Sequence, residues 1–196
     1  MENQKKLLIT GFDPFGGESI NPSWEAVKLL PERIGSFVLH KCQIPTVFCK
    51  AAQTVLEAAE QWEPDVILCI GQAGGRSAVT PERVGVNLRD ARICDNAGNQ
   101  PQEERIVERA PDAYFATVPV KQMVQAIQNS GYPGAVSNTA GTFVCNDVLF
   151  TLLHRFHGTE TRVGFIHVPY LPEQGSPSVP LADITAALEA AIRSLS

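Results

Sequence analysis

The sequence predicts a single-domain three-layer α/β/α sandwich around a mostly parallel, twisted sheet, spanning residues 1–196. Three observations lead there. Short apolar runs alternate with segments of helical periodicity along the whole chain. The run Asp65 to Ile70 is almost continuously apolar, as a strand buried on both faces requires. Proline and glycine are spread over many short turns, so no linker or domain boundary stands out.

In order, Leu7 to Thr10 reads as a first strand and leads into the loop Gly11-Phe12-Asp13-Pro14-Phe15-Gly16-Gly17. Ser23 is a cap candidate for a helix reaching about Leu30. Phe37 to Leu39 reads as a strand, and Cys49, Ala52, Val55, Leu56 and Ala59 recur at helical spacing. The buried strand at 65–70 ends in Gly71-Gln72-Ala73-Gly74-Gly75-Arg76. Val84 to Leu88 alternates weakly, and residues 94 to 112 read as a long loop. Met123, Val124 and Ile127 mark a helix, and Gly134 to Ser137 a short strand. Val148, Leu149, Leu152, Leu153 and Phe156 give a helix with a broad apolar face. Arg162 to Val168 is a strand, and Ile184 to Leu195 carries the stripe of a final helix. In sheets of this kind ligands bind at the carboxyl ends of strands, so the loops after 10, 70, 137 and 167 are expected to converge.

Composition bounds the function classes. The net charge is -5 and the cations are scattered, which gives no footprint for nucleic acid. Five cysteines, at 42, 49, 69, 94 and 145, form no CxxC pair, which favours neither a disulfide framework nor a zinc site. Reduced thiols in a cytoplasm are the expectation. Leu7-Leu8-Ile9 is too short for a signal-peptide core and Val66 to Ile70 too short to cross a bilayer, so a soluble, unexported protein is expected.

Three residues stand in settings suited to chemistry. Cys145 follows a small-residue loop and opens a helix, where the free N–H groups favour a thiolate and can hold an oxyanion. His167 closes an apolar strand, unlike His40, His154 and His157, whose settings are more exposed. Glu82 is wedged between Pro81 and an apolar run, where a carboxylate can orient an imidazole. A structural role is the alternative for each: a core thiol, a hydrogen-bonded histidine, a solvated carboxylate. The glycine loop at 11–17 fits neither the dinucleotide nor the P-loop pattern, and its two phenylalanines suit a flat apolar ligand or simply the core.

Taken together the motifs resemble the pyroglutamyl peptidase I family of cysteine peptidases, also called pyrrolidone-carboxylate peptidases, over essentially the whole length. The resemblance is carried by Gly11 to Gly17, Asn21-Pro22-Ser23, Pro45-Thr46-Val47-Phe48, Gly71 to Arg76, Thr80 to Val84, Asp95 to Pro101, Ala140 to Asn146 and Phe165 to Tyr170. It implies removal of N-terminal pyroglutamate from peptides, with Cys145 as nucleophile, His167 as base and Glu82 as the orienting acid. It implies no metal or organic cofactor, and a homotetramer. Phe12, Phe15, Phe143 and Val144 are the candidate walls of the lactam pocket, with Gln72 as a polar contact and Arg92 as an aid to the oxyanion. Cys94 stands where the family usually has proline, and Gly85 where alanine is usual; a looser Glu82 segment is expected from the latter. The rival readings are a binder of blocked peptides without turnover and a phosphate- or nucleoside-binding α/β enzyme.

Overall fold

Eight strands and five helices make up the computed structural model, which describes residues 4–195. β1 (Lys5–Phe12), β3 (Phe37–Ile44), β4 (Val66–Gln72) and β8 (Arg162–Val168) run parallel in the order β3-β1-β4-β8. Two short strands close the edges antiparallel: β2 (Arg33–Ile34) on β3 and β5 (Thr80–Pro81) on β8. A separate two-stranded ribbon pairs β6 (Val84–Val86) with β7 (Ala113–Phe115).

The alternation of side chains along each strand divides the core in two. One face carries Leu7, Ile9, Leu68, Ile70, Ile166 and Val168 beneath α1 (Pro22–Leu29), α3 (Val120–Asn129) and α5 (Leu181–Arg193). The other carries Leu8, Phe12, Ile67, Cys69, Val163 and Phe165 beneath α2 (Lys50–Trp62) and α4 (Val144–Arg155). The sheet is thus covered on both sides, the condition under which parallel strands become continuously apolar. Among the described residues, no helix is long and apolar enough to cross a membrane.

Several boundaries differ from the sequence expectation. The cap of α1 is Asn21, whose side chain accepts from the Ser23 N–H, with Pro22 at the first helical position. Ser23 instead accepts the Phe12 N–H at 3.0 Å and so ties the helix to the end of β1. β3 continues five residues past Leu39, because a strand next to the edge tolerates polar residues such as His40, Lys41 and Gln43. Gly134 to Ser137 forms no strand; it makes only isolated bridges, Val79 to Gly134 and Glu82 to Ser137. Asn87 organises part of the long loop, accepting from the Ile106 and Val107 N–H groups at 2.8 and 2.9 Å.

Candidate active site

The four parallel strands deliver their carboxyl ends to one side of the molecule, and a cavity of about 350 Å3 lies there. Its lining includes Phe12 from β1, Thr46 after β3, Gln72 from β4 and His167 from β8, together with the loop that leads into Cys145. The loops after 10, 70, 137 and 167 therefore do converge.

Glu82 follows β5, and its backbone N–H donates to the Phe165 carbonyl at 2.9 Å, which continues the pairing of β5 with β8. That register carries the carboxylate to the imidazole: His167 Nδ1 lies 2.7 Å from Glu82 Oε1, both groups buried. Burial alone would push the Glu82 carboxyl up, but His167, with smaller contributions from Ser137 and Arg76, holds it below its ordinary value. Its Oε2 is buried without a hydrogen-bond partner among the described residues; the nearby Ser137 hydroxyl turns to the Thr139 carbonyl, 3.0 Å away. An ionised Glu82 makes Nδ1 the protonated nitrogen and leaves Nε2 as the acceptor.

Cys145 is the second residue of α4, whose cap residue Phe143 is extended, and no side chain caps the helix. The first N–H groups are therefore available to an anion. The two following residues fix the helix start. Asn146 accepts the Val86 N–H at 2.9 Å and donates to the Val86 and Leu88 carbonyls. Asp147, fully buried, accepts from the Cys49 N–H at 2.8 Å and pairs with Arg89 at 2.7 Å. Sequence reasoning missed both, and also Arg76; the polar pair directly after Cys145 was the available signal.

The thiol's pKa moves the opposite way from the expectation. Burial, the Glu82 carboxylate and Cys69 push its pKa up to about 12, against the lowering by Arg76 and its own backbone N–H. The helix start favours the thiolate, yet desolvation outweighs it. Burial also lowers His167, more than Glu82 raises it. Burial thus disfavours the charged form of each group, the thiolate at Cys145 and the imidazolium at His167. A base that must be unprotonated loses activity as pH falls through its own pKa. The acid limb of kcat/KM is accordingly expected below 6.5, the ordinary histidine value; a pH–rate profile with its limb above that value would contradict a lowered His167.

Close packing holds the sulfur in place. A Cβ on Gly71 would come within 2.9 Å of Cys145 Sγ and 2.8 Å of the Phe165 ring, which itself lies 4.8 Å from the His167 ring. Gly71→Ala must displace the Cys145 sulfur or that ring, and misplacement of a reacting group by about 1 Å costs about 10²-fold. Steady-state kinetics on the folded variant should show the loss mainly in kcat.

Of the expected pocket residues, Phe12, Phe15, Gln72, Arg92 and Phe143 line the cavity. Val144 does not: helical geometry turns it into the core, fully buried. Phe143 packs against Phe15 and Phe48, with centroids 6.1 and 5.2 Å away. Gln72 is oriented by Gln174, whose amide donates to it at 3.1 Å. Arg92, on an exposed stretch, also borders an adjoining cavity of about 540 Å3. Cys94 is exposed near Gln100, outside the cavity lining. Gly85 packs tightly on α4, its Cβ position 3.1 Å from Phe150 N, so the glycine accommodates a close approach rather than slack.

A buried carboxylate on an imidazole, with a thiol at a helix start lining the same cavity as the imidazole, is the arrangement of a cysteine hydrolase built on a parallel sheet. Residues 5–196 match the model of the pyroglutamyl peptidase family. The pyrrolidone-carboxylate peptidase of Pectobacterium carotovorum subsp. carotovorum (strain PC1) is 50% identical, with 96% of this chain and 92% of that protein covered. Its counterpart from Bacillus thuringiensis (strain Al Hakam) is also 50% identical, over 96% and 91%. The crystal structure of Bacillus amyloliquefaciens pyroglutamyl peptidase I superposes with a TM-score of 0.94 at 49% identity, covering 97% of this chain and 96% of that one. The pyrrolidone carboxyl peptidase from Thermococcus litoralis gives 0.93 at 38% identity, over 97% and 93%. The chain belongs to the pyroglutamyl peptidase family of cysteine peptidases.

Proposed function

We propose that this protein removes N-terminal pyroglutamate from peptides through a thioester on Cys145. The observation that carries the reading is the chemistry of the cavity next to Cys145 and His167. Phe12, Phe15 and Phe143 give it apolar walls and Gln72 a neutral amide, and its described lining contains no Asp or Glu. Such a site suits an uncharged lactam and offers no partner to the free ammonium of an ordinary peptide N-terminus.

The steps follow from the groups present. His167 Nε2 takes the Cys145 proton as Sγ bonds to the pyroglutamyl carbonyl carbon. Charge developing on the oxygen is met by N–H groups at the start of α4, with Arg92 at the cavity rim. The imidazolium, balanced by Glu82, protonates the leaving amine as the C–N bond breaks. Water, activated by the same imidazole, then cleaves the thioester and restores the thiol. The adjoining cavity bordered by Ile93 and Tyr170 receives the peptide beyond the scissile bond.

A chromogenic pyroglutamyl amide and the matching prolyl amide test this. They share the five-membered ring but differ in the carbonyl and in the charge on nitrogen. The expected preference for pyroglutamyl is at least about 10³-fold, the scale set by leaving buried polar groups unpaired. No turnover of the pyroglutamyl amide by reduced protein would sink the reading, and saturable binding without turnover would establish the binder instead.

We further infer a homotetramer in the cytoplasm. Five free cysteines fit a reducing compartment. Light scattering reads the assembly.

A further inference from the structure

We propose that Arg76 is a positioning residue for the hydrolysis, holding the Glu82 carboxylate against His167 and tying that pair to the loop that leads into Cys145. The inference rests on the peptidase reading above and assigns a role that reading does not contain.

Its fork reaches three segments. Nη1 lies 2.7 Å from Glu82 Oε1, the same oxygen that meets His167 Nδ1, and 2.5 Å from Thr80 Oγ1. Nη2 donates to the Thr139 carbonyl at 3.1 Å, midway along the loop that ends at the nucleophile. The start of that loop is fixed separately: Ser137 N donates to the Pro81 carbonyl and Arg83 N to the Ser137 carbonyl. Thr80 Oγ1 in turn reaches the His167 carbonyl at 3.3 Å. One guanidinium thus braces the carboxylate, the strand beside the histidine and the approach to the thiol. A planar fork can do this and an ammonium cannot, since it lacks the second, fixed nitrogen.

An exposed salt bridge would carry little weight, but this one is different. The Glu82 side chain has no exposed surface, while Arg76 retains 27% and lines the cavity. The pair therefore lies between the core and the reacting groups. Its charge has a second effect. Arg76 lowers the pKa of both Cys145 and His167, opposing Glu82, which raises both. Cys69 also faces Cys145, and Arg92 is the other cation lining the cavity.

Arg76→Met and Arg76→Lys separate position from charge. For Arg76→Met the expected kcat falls about 10–100-fold, as loss of orientation does, with a smaller change in KM. The acid limb should move to higher pH, because without the cation His167 holds its proton more strongly. Arg76→Lys, which keeps the charge but not the fork, should retain the limb and recover only part of kcat. The pH dependence of iodoacetamide alkylation at Cys145, mapped by mass spectrometry, reads the thiol without any substrate. It should shift the same way in Arg76→Met, and does so even if the pyroglutamyl assignment is wrong. Circular dichroism establishes folding, and Arg76→Gln replaces Arg76→Met if the latter does not fold. An unchanged kcat together with unmoved limbs overturns the proposal. So does a fall in kcat with both pH profiles unmoved, which is what a merely structural residue gives.

Discussion

Cys145→Ser is expected to lower kcat/KM for a pyroglutamyl amide by at least about 10⁴-fold, the scale seen when the nucleophile of a concerted catalytic unit is lost. The hydroxyl is slightly smaller than the thiol and fits the same space against Gly71, so the fold should be unaffected. Reactivity changes instead. A thiol at about 12 is already a reluctant acid, and a serine hydroxyl is a weaker one still, facing a histidine whose pKa is lowered. His167 cannot compensate. Iodoacetamide should inactivate the reduced wild-type protein, with labelling at Cys145 tracking the loss. Exposed Cys49 and Cys94 also react, so the labelled site must be mapped. Full activity in Cys145→Ser would exclude this residue as nucleophile.

Glu82→Gln should cost about 10² to 10⁴ in kcat with the fold retained, because an orienting carboxylate sets the tautomer of its histidine. The carboxylate accepts from both His167 Nδ1 and Arg76 at one oxygen. An amide can present its oxygen or its NH2 there, and the latter faces the imidazole with a donor and favours the wrong tautomer. Removing the charge also leaves Arg76 uncompensated beside the histidine, which makes the imidazolium of the transition state harder to form. Circular dichroism with steady-state kinetics distinguishes this from unfolding. Unchanged kinetics would remove Glu82 from any orienting role.

Most of the sheet was legible because burial leaves a local mark. β1, β4 and β8 are apolar on both faces, and their sequences say so without help from the rest of the chain. β5 left no such mark: it is two residues long, one of them proline, and it exists only because β8 supplies an edge. Yet β5 places Glu82. Gly134 to Ser137 looked like a strand and is a bridge segment: only Gly134 and Ser137 form bridges, to Val79 and Glu82, and no continuous ladder joins them. The site divides the same way. Glu82, Cys145 and His167 were recognisable as chemically apt types within family motifs. What surrounds them was not: Arg76 to Thr139 spans 63 residues, and Asp147 reaches Cys49 across 98. Pairings at that range are set by topology, and no local pattern encodes them. Val144 illustrates the converse error, since adjacency to Cys145 in sequence places it one helical step away, in the core.

His167 lies on β8, hydrogen-bonded to β4 on one side and to β5 on the other, whereas Cys145 rides on a helix start held by two side chains. The two partners of the proposed proton transfer consequently differ in mechanical stiffness. Amide hydrogens of β8 should exchange with solvent only on global opening, and those around residues 138–143 through local excursions. If His167 is the base, warming should slow turnover by loosening the packing that holds the sulfur before the imidazole moves, and the temperature at which catalysis fails should lie below the temperature at which the sheet melts.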